Sequence, residues 1–220
     1  MAARRNRRQA LVKEIKLYVE GGGRGTNKNA TIKLQQGFDA FLRELKDAAR
    51  AKKISFRVIP SGSTTDTYEE FIFSVENSPQ SFNLLLVDSD EVVAKDESAC
   101  AFLQRKYKKW KLQIINDEQC HLMVQIMESW FVADVDALKD FYGQDFRKSA
   151  IPKNQKNVEK IDKARVESAL KAATAKIKNG VYHKIRDGAK ILEKINPQKV
   201  RAAAFRCREL HKAISEEIKQ

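Results

Sequence analysis

No stretch of this 220-residue chain approaches the roughly 18 consecutive apolar residues that a membrane-spanning helix needs, so a transmembrane protein is not expected. The opening Met1-Ala-Ala-Arg-Arg-Asn-Arg-Arg has no apolar stretch behind its charges, which argues against a secretory leader and for a cytoplasmic protein. Cysteine is scarce. Cys100, Cys120 and Cys207 are odd in number, widely spaced and without a C-x-x-C pair, so neither a disulfide framework nor a zinc site is indicated, and reduced, mostly buried thiols are expected. His121, His183 and His211 share no ligand spacing. Aromatic residues make up only 8 %, most at positions that read as core, which leaves few for stacking on unpaired bases. The basic segments carry few aromatic anchors and no lipidation signal, so a membrane surface is not an expected partner.

What is abundant is positive charge. Lys plus Arg total 42 against 29 Asp plus Glu, a formal net charge of +13. Such an excess favours a polyanion, because each phosphate neutralised releases condensed counterions. Nucleic acid, DNA or RNA, is therefore the expected partner, although a solvated lysine surface would give the same count.

Along the chain, residues 1–10 form a basic arm. Ile15, Leu17 and Val19 then alternate, predicting a strand that runs into Glu20 and a glycine-rich turn, Gly21-Gly-Gly-Arg24-Gly25. Ile32, Leu34, Phe38, Phe41, Leu42 and Leu45 recur at helical spacing, predicting a helix to about Lys52. A strand over 54–59 stops at Pro60, a helix covers 67–75, and the near-continuous apolar run 82–87 reads as a strand buried on both faces. It ends in Asp88-Ser89-Asp90-Glu91. This β-α-β-α-β order predicts an α/β fold with a mainly parallel sheet flanked by helices. Beyond it, the pattern predicts a helix over 100–107, a strand over 111–115, and a strand or helix start over 122–127. Past Gly143 the composition turns to Lys, Asn and Ala, with helices expected over 158–177, 185–195 and 197–218. The implied division is an arm (1–10), an α/β domain (11–145) and a C-terminal helical extension (146–220) that packs on or near the site.

Sites in open parallel sheets form outside the carboxyl ends of the strands, and both Glu20 and Asp88/Asp90 occupy such ends. If the two strands are neighbours, three carboxylates meet and repel one another unless a hard cation neutralises them. Oxygen-only ligands without histidine suit Mg²⁺ or Mn²⁺. An extended Asp-Ser-Asp would also place both aspartates on one side of the chain. Taken alone, the same residues could be a strand end followed by a helix cap. Glu128 ends an apolar run and reads equally as a fourth carboxylate of the site or as the start of a helix, where the dipole favours Glu. Trp130, beside Phe131 and Val132, reads as core. The loop through Lys28 lacks the Walker spacing, so ATP binding is not expected, and Arg24 and Lys28 read instead as phosphate contacts. Lys184, Arg186 and Lys190 suggest a basic stripe on the helix over 185–195, or a merely solvated face.

A strand ending in Val19-Glu20-Gly21, a β-α-β unit, and a strand ending in Val87-Asp88-Ser89-Asp90 together resemble the Toprim domain over residues 12–130. That domain occurs in topoisomerases, primases, RNA-maturation nucleases and the overcoming-lysogeny-defect nucleases. The wider wording, Gln125-Ile-Met-Glu-Ser-Trp130-Phe-Val-Ala-Asp134 with Tyr182-His-Lys184, looks like a Toprim-like group often encoded beside ATPases of bacterial antiphage loci. The resemblance implies a Mg²⁺-dependent nuclease with Asp88 and Asp90 as metal ligands and Glu20 as ligand or general base. It also implies a lysine from the C-terminal part at the transition-state phosphate, for which Lys184 is the choice, and an ATPase partner. The chain is too short for a topoisomerase clamp and lacks primase modules, so hydrolysis fits better than rejoining or synthesis. A non-catalytic nucleic-acid-binding subunit, and a tRNA-directed toxin restrained by its partner, remain the alternatives.

Overall fold

The structure is a computed structural model that describes residues 12–22, 28–78, 80–178 and 180–220. The basic arm of residues 1–10 and the Arg24 contact expected from the sequence lie outside the described residues.

The strand expected before Glu20 forms as β1 (Glu14–Val19), followed by α1 (Lys28–Phe41) and α2 (Arg43–Ala51). β2 (Ser55–Pro60) stops at the proline, which has no N–H to extend a ladder. α3 (Thr64–Asn77) starts at a capping box in which the Ser63 hydroxyl accepts the Asp66 N–H and the Asp66 carboxylate accepts the Ser63 N–H. The apolar run becomes β3 (Ser81–Asp88), and α4 (Ala99–Lys106) and β4 (Cys120–Met123) follow. The remainder is helical: α5 (Glu128–Phe131), α6 (Val135–Tyr142), α7 (Lys163–Ala173), α8 (Lys184–Leu192), α9 (Pro197–Ala203) and α10 (Phe205–Lys219).

The four strands make one all-parallel sheet in the order β2-β1-β3-β4. Because strand side chains alternate, each strand feeds two cores. Ile15, Leu17, Val19, Leu84 and Leu86 point to one face, where α1, α2, α8 and α10 supply Phe38, Leu45, Ile191 and Leu210. Tyr18, Leu85, Val87 and Leu122 point to the other, against Phe71 of α3 and Phe102 of α4. Trp130 is core, as expected, stacked on Phe41 at 5.2 Å between ring centres and edge-on to Phe38 at 6.4 Å. All three cysteines are free and buried, and among the described residues no helix is long and apolar enough to cross a membrane.

Four expected elements differ. The helix expected to about Lys52 is divided at Leu42 into α1 and α2. Residues 111–115 are not a strand; Leu112–Ile114 is a short 3-10 turn. Trp110 is stacked between Tyr68 and Tyr107, the Lys111 N–H donates to the Tyr68 hydroxyl at 2.6 Å, and Cys120–Met123 takes the place beside β3 instead. The helix expected from Val158 begins only at Lys163, where the Asp162 carboxylate caps the N–H groups of Ala164 and Arg165. The helix expected over 197–218 breaks at Ala204, which is extended. There the Arg206 N–H donates to Glu159, and its guanidinium to the carbonyls of Ala94 and Glu97.

Residues 146–220 share the larger core with the sheet: α8 lies along α1, and α10 along α2 and β4. The α1–α8 approach depends on Gly37, since a Cβ there would sit 2.7 Å from the Ala189 carbonyl oxygen. At Gly188, one residue earlier on α8, a Cβ would make ordinary contacts, with Met127 at 3.5 Å and with Phe131 and Tyr182 at 3.9 Å. Gly37→Ala should therefore destabilise the protein by about 1–3 kcal/mol through overpacking, while Gly188→Ala should gain up to about 1 kcal/mol from helix propensity. Urea unfolding of the two variants checks this. Equal stability of Gly37→Ala and wild type would mean that α1 and α8 do not pack as described.

Candidate functional site

β1 leads to β2 on one side while β3 lies on its other side, so the chain reverses direction across the sheet between β1 and β3. Crevices open at such reversals, beyond the carboxyl ends of the strands. The register pairs Val19 with Leu86, and the Glu20 N–H continues the ladder to the Leu86 carbonyl at 3.0 Å. Glu20 and Asp88 are thereby neighbours, and Glu20 Oε2 accepts the backbone N–H of Asp88 at 3.1 Å. A side-chain hydrogen bond from Thr64, the first residue of α3, holds the Glu20 carboxyl from another side.

Asp88 is more enclosed than Glu20. Its Oδ1 accepts the Met127 N–H at 2.9 Å, and its Oδ2 lies 3.4 Å from Lys184 Nζ. Lys184 Nζ also lies 3.6 Å from Glu128 Oε2. The other oxygen of Glu128 accepts the Tyr182 hydroxyl at 2.8 Å, and Oε2 accepts no hydrogen bond among the described residues. Glu128 is the first residue of α5, and its buried carboxylate faces the same ammonium as Asp88. Lys184 opens α8, and the turn before it is pinned by Asp187. That carboxylate accepts the His183 N–H at 3.0 Å, the Tyr142 hydroxyl at 3.2 Å and two guanidinium nitrogens of Arg186, each at 2.7 Å.

Asp90 sits differently. The extended Asp-Ser-Asp expected from the sequence does not form, because β3 ends at Asp88 and Asp90 has φ 61°, a left-handed conformation that Asp tolerates better than most residues. Its N–H donates to the Gln125 carbonyl, and its two carboxylate oxygens each meet an ammonium at 3.2 Å: Lys163 at Oδ1 and Lys106 at Oδ2. Neither lysine was singled out from the sequence. Each lies at a helix end in a lysine-rich chain, and nothing local marks it; only the turn at Asp90 brings both together. Tyr182, by contrast, belongs to the sequence wording that carried the resemblance.

The expected phosphate contacts divide. Lys28 is the exposed first residue of α1, and Lys190 is exposed on α8. Lys184 and Arg186 do not form one stripe: two residues apart on a helix they point about 200° away from each other. Lys184 turns to the carboxylates, and Arg186 is spent on Asp187 and the Val181 carbonyl.

Charge follows from this packing. Loss of hydration pushes the Asp88 carboxyl up to about 7, with Glu20 and Glu128 adding repulsion, while Lys184 and the Met127 N–H oppose the shift. Burial also raises Glu20. Lys184 pays its own desolvation, yet Asp88, Glu128 and Glu20 together hold it firmly protonated. Asp90 moves the other way: partial burial opposes ionisation, but Lys163 and Lys106 hold it below the usual carboxylate range. Among the described residues no group of three or more His, Cys, Asp or Glu converges on one metal position. The donor chemistry nevertheless fits a hard cation. Every group is a carboxylate oxygen, one of them is orphaned, and ammonium groups stand where a cation would.

An acid whose folded pKa is raised takes up a proton on folding between about pH 4 and 7, so its contribution to stability falls as pH rises through that window. Asp88→Asn removes this contribution. In metal-free buffer its gain in Tm over wild type should be larger at pH 8 than at pH 4.5. Thermal melts that show the same difference at both values would mean Asp88 is not held up by burial.

No curated protein and no solved structure matches the chain. A family model described as Domain of unknown function (DUF4276) matches residues 19–215. That span contains Glu20, Asp88, Asp90, Glu128 and Lys184, and the chain belongs to the DUF4276 family.

Proposed function

We propose that this chain is a metal-dependent phosphodiesterase of the Toprim type that hydrolyses DNA or RNA. One observation carries the reading: an ammonium group, Lys184, is shared by two buried carboxylates, Asp88 and Glu128, beside Glu20 at the strand reversal of a parallel sheet. Buried carboxylates gathered at such a crevice cost stability, and clusters of this kind are found where chemistry needs them. The resemblance of Val19-Glu20-Gly21 and Val87-Asp88-Ser89-Asp90 to Toprim motifs supports the reaction class, and the net charge of +13 supports a polyanionic substrate.

Asp88, Asp90 and Glu20 would hold Mg²⁺ or Mn²⁺, which supplies Lewis-acid polarisation of the scissile phosphate when bound. Glu20, raised by burial, takes the proton of the attacking water on its carboxylate. Lys184 stays charged and half-exposed, so its ammonium can turn from Asp88 to the phosphoryl oxygens as charge develops on them. Tyr182 holds Glu128 by its hydroxyl and keeps that carboxylate beside the lysine. An ATPase partner and a role in antiphage defence rest on the resemblance alone.

The direct test incubates the purified protein with Mg²⁺ or Mn²⁺ and plasmid, single-stranded DNA or total tRNA. Cleavage that needs the metal and is lost in Glu20→Gln supports the reading, and none on any substrate removes it. Calorimetry with Mn²⁺ should show binding to wild type and none to Asp88→Ala; equal binding to both would end the metal assignment. Lys184→Ala should lower the cleavage rate at least about a hundredfold with substrate affinity nearly unchanged. Lys171→Ala, an exposed lysine on α7, should cleave like wild type. A Lys184 variant of full activity would place the transition-state cation elsewhere.

A further inference from the structure

Outside the reaction groups, Lys106 and Lys163 stand out. They come from the last position of α4 and the first of α7, 57 residues apart, yet they close on opposite oxygens of one carboxylate, Asp90, each at 3.2 Å. The arrangement is built rather than incidental. Gln125, buried, accepts the Asp90 N–H on its carbonyl and the Lys163 N–H on its side-chain oxygen at 3.2 Å. Lys106 Nζ donates in addition to the Ser89 carbonyl at 2.6 Å and lies near the ring faces of Phe102 and Tyr107. The Asp90–Lys163 pair is open to water, with side chains 47 % and 42 % exposed, while Lys106 is more enclosed at 22 %. Pairs so exposed contribute little and exchange readily. A fixed frame therefore presents two ammonium groups on one half-exposed carboxylate, Lys163 loosely held and Lys106 more firmly.

We propose that Lys106 and Lys163 are a grip for the phosphodiester backbone, and that Asp90 plugs this grip until a divalent cation draws the carboxylate away or the backbone phosphates displace it. The proposal rests on the phosphodiesterase reading for what lies next to the grip, and it adds how substrate is held. Both ammonium groups touch the same carboxylate, so they can reach one phosphate or two successive ones on a single strand. Lys184, bound to buried carboxylates, is left for the reacting phosphate. Cation and substrate then bind cooperatively, because drawing Asp90 towards a metal sets two positive charges free beside the nucleic acid.

The test measures binding rather than cleavage. A fluorescently labelled single-stranded DNA oligonucleotide is titrated with full-length protein in EDTA over a series of KCl concentrations, followed by anisotropy. Asp90→Asn should bind several-fold tighter than wild type. Lys106→Ala/Lys163→Ala should bind weaker, with a log-log salt slope smaller by about 1.4, since each phosphate contact on a single strand contributes about 0.7. The triple variant Asp90→Asn/Lys106→Ala/Lys163→Ala should lose the gain of Asp90→Asn. Circular dichroism confirms that each variant is folded, and Lys106→Gln/Lys163→Gln replaces the alanine pair if that one is not. A triple variant that keeps the gain would show only the removal of a negative charge and overturn the grip, as would a lysine-pair variant with the wild-type slope. The expected pattern from a protein that cleaves nothing would leave the grip standing while the hydrolytic reading falls.

Discussion

Asp88 brings a carboxyl group to the end of a central strand, between two occupied neighbours, where little water can hydrate it. A lone carboxylate in such a place would pick up a proton or force the fold open. Here it keeps a backbone N–H from Met127 and an ammonium from Lys184, and much of the surrounding structure is what those two partners require. Met127 is placed by the chain leaving β4, the strand that pairs with β3 through Asp88 itself. Lys184 is placed by α8, which comes from the far end of the sequence. The partners do not fully offset the burial, and the carboxyl remains raised to about 7. Burial of this kind costs stability, and a cation that binds the carboxylate would restore part of it.

The C-terminal helices are accordingly part of the site and of the core at once. α8 can lie along α1 only because Gly37 has no side chain, and its first turn is tied down by Asp187 through His183, Tyr142 and Arg186. Arg186, two residues after Lys184, serves the fold in this way through Asp187 and the Val181 carbonyl. The same turn carries Tyr182, whose hydroxyl orients Glu128. Positioning by several bonds matters because a single ammonium on a long flexible stem would otherwise sample many places.

Cations occupy the acidic crevice in two grades. Lys184 is bound to buried carboxylates and strongly retained, while Lys106 and Lys163 rest on an exposed one. The difference in burial sets the order in which a polyanion could displace them, with the outer pair first. In a chain of net charge +13, long-range attraction favours any polyanion, and on the proposed reading the cations with this local geometry would hold its phosphate beside the carboxylates.

Much of the scaffold was legible in the residues. Alternation in β1, the near-continuous apolar run of β3 and the helical spacing between them determine a parallel α/β sheet, because each pattern can bury its apolar side in only one kind of element. The same patterns put Glu20 and Asp88 at strand ends, and chain order made them candidate neighbours. Where the pattern was short, tertiary packing decided. Residues 111–115 have strand-like composition, yet Trp110 stacked between two tyrosines holds them in a turn, and Ala204 breaks a helical run because Arg206 has partners on distant loops. The conformation of Asp90 and the identity of its two lysines could not be read locally. A left-handed turn changes a side chain's direction without changing composition, and contacts between residues 90, 106 and 163 exist only once the helices have closed on the sheet. The sequence by itself determined which carboxylates lie at the strand ends; only the tertiary structure decided which cations face them, because that depends on how helices far apart in the chain pack together.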